Sequence, residues 1–376
     1  MKRMMLWVAV ALTLFVGCRK PDGGPEPSKE PYLDSVCLYQ MGDYGSQFWR
    51  IPALLCLDDG TLLAVNDRRK YSYKDLPEDI DIVCRRSTDN GTTWSEPQTI
   101  VAGTGYKQGY GDPALVQCEN GDVLCFFVGG NGLWASTEAD PIRSYVCRSS
   151  DCGLTWSAPE EITSLIWGSQ AVNAACRNYK ASFFGSGNAL RLSKGPHKGR
   201  VLVAAALGRK NVNKIDNFVV YSDDNGQTWN VSAKAFTEGD EAKLMELADG
   251  TVLVSVRRSG ARGYNHSADG GETWGTQGTW PEMTVNACNG DMLRLDDSTL
   301  LHSLPNSMQR EDVSIFISND EGDSWHSPVR LVDGPSVYSS LTLLADGEIG
   351  CFVEKGPDTG CELWLYRFNR EWLFNF

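Results

Sequence analysis

The motif Ser-x-Asp-x-Gly-x-x-Trp recurs five times in this chain: Ser87–Trp94, Ser149–Trp156, Ser222–Trp229, Ser267–Trp274 and Ser318–Trp325. The five tryptophans are spaced 62, 73, 45 and 51 residues apart. A period near about fifty residues is that of a propeller blade of four short strands. Each part of the motif has a turn-building task. The Asp carboxylate accepts backbone N–H groups a few residues on, the Gly takes a positive φ, and the Trp is large enough to fill a gap between blades. Five equivalent turns cannot all line one active site, so these aspartates are read as structural.

The length of 376 residues accommodates six blades as one all-β domain, a six-bladed β-propeller. Strand runs separated by Asp-Gly turns support this. Arg50–Leu57 and Leu62–Asn66 flank Asp58-Asp59-Gly60, and Ile80–Arg86 leads into the first repeat. Leu244–Leu247 and Thr251–Val256 flank Ala248-Asp249-Gly250, and Leu341–Leu344 and Glu348–Val353 flank Ala345-Asp346-Gly347. An Asp-Gly pair between apolar runs is a strong hairpin signal. Ring closure is expected from pairing of Leu363–Phe368 and Trp372–Phe376 with the first blade.

The first residues read as a targeting segment. Lys2 and Arg3 precede an apolar run, Met4–Val16, then Gly17-Cys18; the run is too short to span a bilayer as a mature helix. A small residue before Cys resembles a bacterial lipoprotein signal. That resemblance implies a signal peptide over 1–17, a lipid on Cys18 as first mature residue, and anchoring in the outer membrane or periplasm. Phe15 departs from the usual Leu and leaves a plain secretory signal as the alternative. Residues 18–31, rich in Pro, Gly and charge, read as a flexible tether, with the folded domain over 32–376.

The chain carries a formal charge of −13. Loss of Lys2 and Arg3 with residues 1–17 takes −13 to −15. This argues against nucleic acid or an anionic membrane surface as partner; an anionic small substrate stays compatible, because a pocket can invert the sign locally. Twelve cysteines are present, eleven without Cys18, so complete internal pairing is excluded. Most sit in apolar strand patterns and read as buried free thiols. The four histidines (197, 266, 302, 326) lack ligand spacing, so no metal is expected.

Beyond the repeats, the chain resembles the exo-α-sialidases (neuraminidases) with Asp-box, or BNR, repeats, from about Tyr32 to Phe376. Trp49-Arg50-Ile51-Pro52 is similar to the family's aromatic-Arg-Ile-Pro signature. The resemblance implies that Arg50, Arg257 and Arg310 form a trio gripping a substrate carboxylate, a task suited to the planar, always-charged guanidinium. Arg257 lies sixteen residues after Glu241, and Arg310 precedes the strand leading into the last repeat. Tyr338, in Val337-Tyr338-Ser339-Ser340, is implied as nucleophile, with Glu241 as its base. A phenol meets less repulsion from an anomeric carboxylate than a carboxylate would. Asp75 is implied as general acid/base, on a loop before an acidic strand. Glu78, Asp79 and Asp81 compete for that place, although Asp79 and Asp81 alternate with Ile80 and Ile82 as a strand's polar face. Arg68 resembles an accessory arginine, with adjacent Arg69 as the alternative. Asp112 resembles an aspartate contacting a sugar hydroxyl, and Trp134 an N-acetyl support, with a core role as its alternative.

The implied activity is retaining hydrolysis of terminal α-linked sialic acid from glycoconjugates through a covalent tyrosyl-glycoside, without metal or organic cofactor. The alternatives are a sialic-acid-binding propeller without turnover, transglycosylation, or action on a related ulosonic acid.

Overall fold

The computed structural model describes residues 30–285 and 287–375. The expected signal peptide (1–17), Cys18 and all but the last two residues of the expected tether (18–31) lie outside the described residues. Pro31–Phe376 forms one unit, and its strands assemble into six sheets, antiparallel but for short Gly187–Asn188 beside Tyr110–Gln117, arranged as the blades of a β-propeller.

Blade I comprises Phe48–Cys56, Leu62–Arg69, Ile80–Ser87 and Gln98–Val101; blade II Tyr110–Gln117, Val123–Gly130, Ile142–Ser149 and Glu160–Glu161. Blade III is built on Tyr179–Phe184, Val201–Arg209, Ile215–Ser222 and Asn230–Val231. Blade IV has Ala242–Glu246, Val252–Val256, Gly260–Ser267 and Gly278–Val285; blade V Asp291–Arg294, Leu300–Pro305, Val313–Ser318 and His326–Arg330. Blade VI has Ser336–Leu343, Ile349–Lys355 and Glu362–Phe368, and its fourth strand is Leu33–Tyr39 from the opposite end of the chain. First strands touch between blades I and II, II and III, IV and V, V and VI, and VI and I, which places them innermost.

The ring therefore closes by N-terminal completion of the last blade. Leu363–Phe368, expected to pair with the first blade, pairs instead with Leu33–Tyr39 and Ile349–Lys355 inside blade VI. Of the expected strand Trp372–Phe376, residues 372–374 instead lie in a short helix, Arg370–Phe374, capped by Asn369, with Trp372 packed on Phe368. This topology also explains why there are five motifs and six blades. The motif links the third to the fourth strand of blades I–V. In blade VI those two strands lie at opposite ends of the chain, so no such turn exists.

Each motif closes as its chemistry dictates. In the first, Ser87 Oγ donates to Asp89 Oδ1 at 2.7 Å, and Asp89 Oδ1 accepts Thr93 N–H at 2.9 Å. Gly91 has φ 80°, and a Cβ there would lie 2.7 Å from Leu365 of blade VI, so both conformation and space require glycine. The motif tryptophans pack toward the preceding blade: Trp229 meets Phe126 edge-to-face at 5.4 Å, and Trp325 meets Trp280 at 5.6 Å. The eleven cysteines from Cys37 to Cys361 are free thiols, eight of them buried.

Candidate active site

The innermost strands of blades I, II and VI carry irregularities at their first ends. Register shifts fall between Arg50 and Ala53, between Gly111 and Ala114, and between Ser336 and Ser339. Ile51 and Asp112, each followed by Pro, hold left-handed φ values of 61°. Bulges re-aim side chains at strand ends, and a left-handed β-branched residue persists only where its surroundings hold it. These bulges bring Arg50, Asp112 and Tyr338 to one end of the propeller. The Asp-box turns connect third to fourth strands at the opposite end, where they cannot reach a ligand.

A cavity of about 490 Å³ opens there, lined by Arg50, Asp75, Asp112, Glu241, Arg257, Arg310 and Tyr338 among others. Residues scattered over 289 positions of sequence, from 50 to 338, thus meet in one pocket. The three guanidiniums surround one ring. The Arg50 and Arg310 guanidinium carbons each lie 5.7 Å from the Tyr338 ring centroid, and Arg257 Nη1 donates to the Tyr338 hydroxyl at 2.8 Å. The same Nη1 donates to Glu241 Oε2, so phenol and carboxylate share one cation. Burial pushes the Tyr338 phenol well above its ordinary pKa, against the pull of Arg257.

Asp75 stands at the mouth with its side chain 80% exposed, and Arg69 Nη2 approaches its Oδ1 at 2.7 Å. Desolvation works to raise its pKa, but Arg69 and Arg50 outweigh it and hold the carboxyl below its usual range. Of the competing acids, Glu78 does not line the cavity, and the other two are engaged elsewhere. Asp79 is paired with Lys70, and buried Asp81 takes Arg68 and Lys70.

Arg68 does not line the pocket; its guanidinium is committed to Asp81. Arg69 does not line it either, but its buried guanidinium reaches Asp75 from beneath. Strand side chains alternate faces, so Asp67 and Arg69 share the pocket side while Arg68 takes the other, and sequence alone left that register open. Trp134 lines the cavity and is 47% exposed, which removes the core alternative. With Leu76, Leu133, Ile142, Phe183 and Ile215 it forms an apolar wall facing the arginines.

Sequence reasoning missed two carboxylates behind the arginines. Glu354 is fully buried; its Oε1 accepts Arg50 Nε at 2.7 Å and the Ile51 N–H at 2.6 Å, and its Oε2 accepts the Tyr338 N–H at 3.2 Å. Asp358 accepts Arg310 Nη1 on both oxygens at 3.1 Å and lies 3.6 Å from Arg50. A glutamate ending the apolar run Ile349–Val353 was the available signal for the first. Nothing local marks the second.

The BNR repeat-like domain family matches residues 60–351. A sialidase of Micromonospora viridifaciens is 33% identical over 374 residues, covering 92% of this chain and 55% of that protein. A sialidase of Bacteroides fragilis is 27% identical, covering 85% of this chain and 62% of that protein. The chain thus spans between about half and two thirds of these relatives' length. Among solved structures, the Hadza microbial sialidase Hz136 superposes with a TM-score of 0.78 at 25% identity, covering 89% of this chain and 68% of that one.

Proposed function

The chain belongs to the sialidase family with BNR repeats, and on that premise we propose that it is a retaining exo-α-sialidase releasing terminal α-linked sialic acid from glycans. The observation that carries this reading is the convergence of Arg50, Arg257 and Arg310 on Tyr338. Three fixed cations in a pocket of an acidic protein suit a carboxylate-bearing sugar. They hold that carboxylate with the anomeric carbon over the phenol.

Tyr338 Oη attacks the anomeric carbon while its proton passes to Glu241. Asp75 gives its proton to the departing glycosidic oxygen, and the carbon–oxygen bond to the aglycone breaks. The Asp75 carboxylate then takes a proton from water, whose oxygen attacks the same carbon. The phenolate leaves and recovers its proton from Glu241. Two displacements on one carbon retain its configuration. A carboxylate held low by arginines must rise before it can act as acid. The substrate carboxylate contributes to that rise by neutralising Arg50 and Arg310, two of the three arginines that depress Asp75. Export with a lipid on Cys18, or plain secretion, belongs to the same proposal, since it places the enzyme where glycoconjugates are met.

The test is release of a fluorogenic aglycone from an α-sialoside by the purified protein with EDTA present. Turnover somewhere between about pH 4 and 8, where shifted carboxyl groups titrate, is expected. No turnover across that range leaves a sialic-acid-binding propeller as the better reading.

A further inference from the structure

Beneath Asp75 lies a fully buried acid that the reaction above does not use. Asp67 Oδ2 accepts Arg69 Nε at 3.1 Å and Arg69 Nη2 at 3.0 Å, and its Oδ1 accepts the Asp112 backbone N–H at 3.1 Å. Arg69 is itself buried, and the same Nη2 reaches Asp75. Its Nη1 donates to the Tyr73 carbonyl at 2.5 Å, two residues before Asp75. One side chain thus fixes both the guanidinium that steadies the Asp75 loop and the left-handed peptide that presents Asp112. Gly111 leaves room for this: a Cβ there would come within 3.3 Å of Asp67 Oδ2.

Three carboxylates, of Asp67, Asp75 and Asp112, therefore surround one guanidinium. Burial, with repulsion among the three, pushes the carboxyls of both Asp112 and Asp67 above their usual range, against the pull of Arg69. Three donors take three of the roughly four acceptor sites of the Asp67 carboxylate. An arginine freed from such a fork would retain its charge but lose its aim, since a buried guanidinium is ordered only by the groups that receive its hydrogens.

Resting on the sialidase reading, we propose that Asp67 is a positioning residue for the acid: through Arg69 it sets the placement of Asp75, and through its hydrogen bond from the Asp112 backbone N–H the placement of Asp112 in the same pocket. The test is Asp67→Asn, assayed on two substrates. An aryl α-sialoside expels a good leaving group that needs little protonation, whereas sialyllactose expels a sugar alkoxide that needs the acid. Asp67→Asn should lower kcat on sialyllactose at least about tenfold, within the range of general acid catalysis, and lower kcat on the aryl sialoside less than about threefold. Asp75→Ala should show the same asymmetry, and Asp67→Asn should add nothing to it in the double variant. Equal losses on both substrates, or additive losses, overturn the proposal and leave Asp67 a packing residue. A crystal structure of Asp67→Asn decides without activity. Loss of the 2.7 Å Arg69–Asp75 contact supports the proposal, and its retention with the Asp112 peptide in place overturns it. Failure of the sialidase reading shows separately, as a wild-type protein inert on both substrates. If Asp67→Asn does not fold, Arg69→Lys carries the same assays, because it keeps a cation and loses the fork.

Discussion

Replacing Glu354 with glutamine changes one charge and almost no volume, yet it strikes the support of the whole site. The carboxylate is fully buried and receives Arg50 Nε, the Ile51 N–H and the Tyr338 N–H. Glutamine keeps one acceptor oxygen for the first two and turns an N–H donor toward the third. Leaving one member of a buried ion pair uncompensated costs about 3–5 kcal/mol. The Ile51 bond also holds a left-handed conformation of a kind that stores about 1–3 kcal/mol, so the upper part of that range applies. For the unit Pro31–Phe376, an unfolding entropy of about 2.1 cal/mol/K per residue sums to roughly 0.7 kcal/mol/K. A loss of about 4.5 kcal/mol then lowers Tm by roughly 6 °C. Arg50 loses its anchor at the same time, so kcat/KM for an α-sialoside should fall at least about tenfold, equivalent to about 1.4 kcal/mol of transition-state stabilisation. Thermal unfolding and steady-state kinetics on one preparation measure both. A Tm within about 1 °C of wild type together with unchanged kcat/KM refutes the claim that Glu354 holds the site.

Arg310→Ala removes a charge-assisted contact to the substrate, and a loss of about 1.5–3 kcal/mol lowers kcat/KM by roughly 10- to 150-fold; an unchanged value removes Arg310 from the trio. Asp358→Asn weakens an internal competitor for the Arg310 fork, so KM for an α-sialoside should fall; a raised KM shows that Asp358 orients Arg310 instead. The Asp boxes set an acid limit on stability. Hydrogen bonds from Thr93 and Thr155 hold Asp89 and Asp151 down to about 2, and at Asp224 those from Thr228 overcome desolvation to reach about 2. A carboxyl lowered by folding stabilises above its unfolded pKa of about 3.9 and loses that contribution as pH falls through the folded value. Urea midpoints should therefore drop between about pH 4 and 2, and Asp89→Asn should make that dependence shallower; an identical slope contradicts the assignment.

Much of the fold could be read from local chemistry. The five motifs carry their own turn, and Asp-Gly pairs mark the inner hairpins, so blade count and order follow from short stretches of chain. The closure could not be read this way, because pairing of Leu33–Tyr39 with Glu362–Phe368 depends on contacts more than 300 residues apart. The arginines and Tyr338 were legible through flanking patterns such as Arg50-Ile51-Pro52. The supports were not. Choosing Arg69 over Arg68 requires the strand register, and Glu354 acquires its role only because blades I and VI are neighbours around the ring. Asp67 and Asp112 meet for the same reason across blades I and II. Charged residues that act by bracing others leave little trace in a single sequence.

The central claim is that the phenol of Tyr338 becomes bonded to the sugar. A 2,3-difluorosialic acid tests it directly: fluoride leaves readily from the anomeric carbon, and the neighbouring fluorine disfavours the oxocarbenium-like transition state needed to release the intermediate. Mass spectrometry of the treated, digested protein should find one sialosyl adduct, on the peptide carrying Tyr338, and none in Tyr338→Phe. An adduct on Glu241 or Asp75, or a Tyr338→Phe variant that turns over α-sialosides at the wild-type rate, would contradict it.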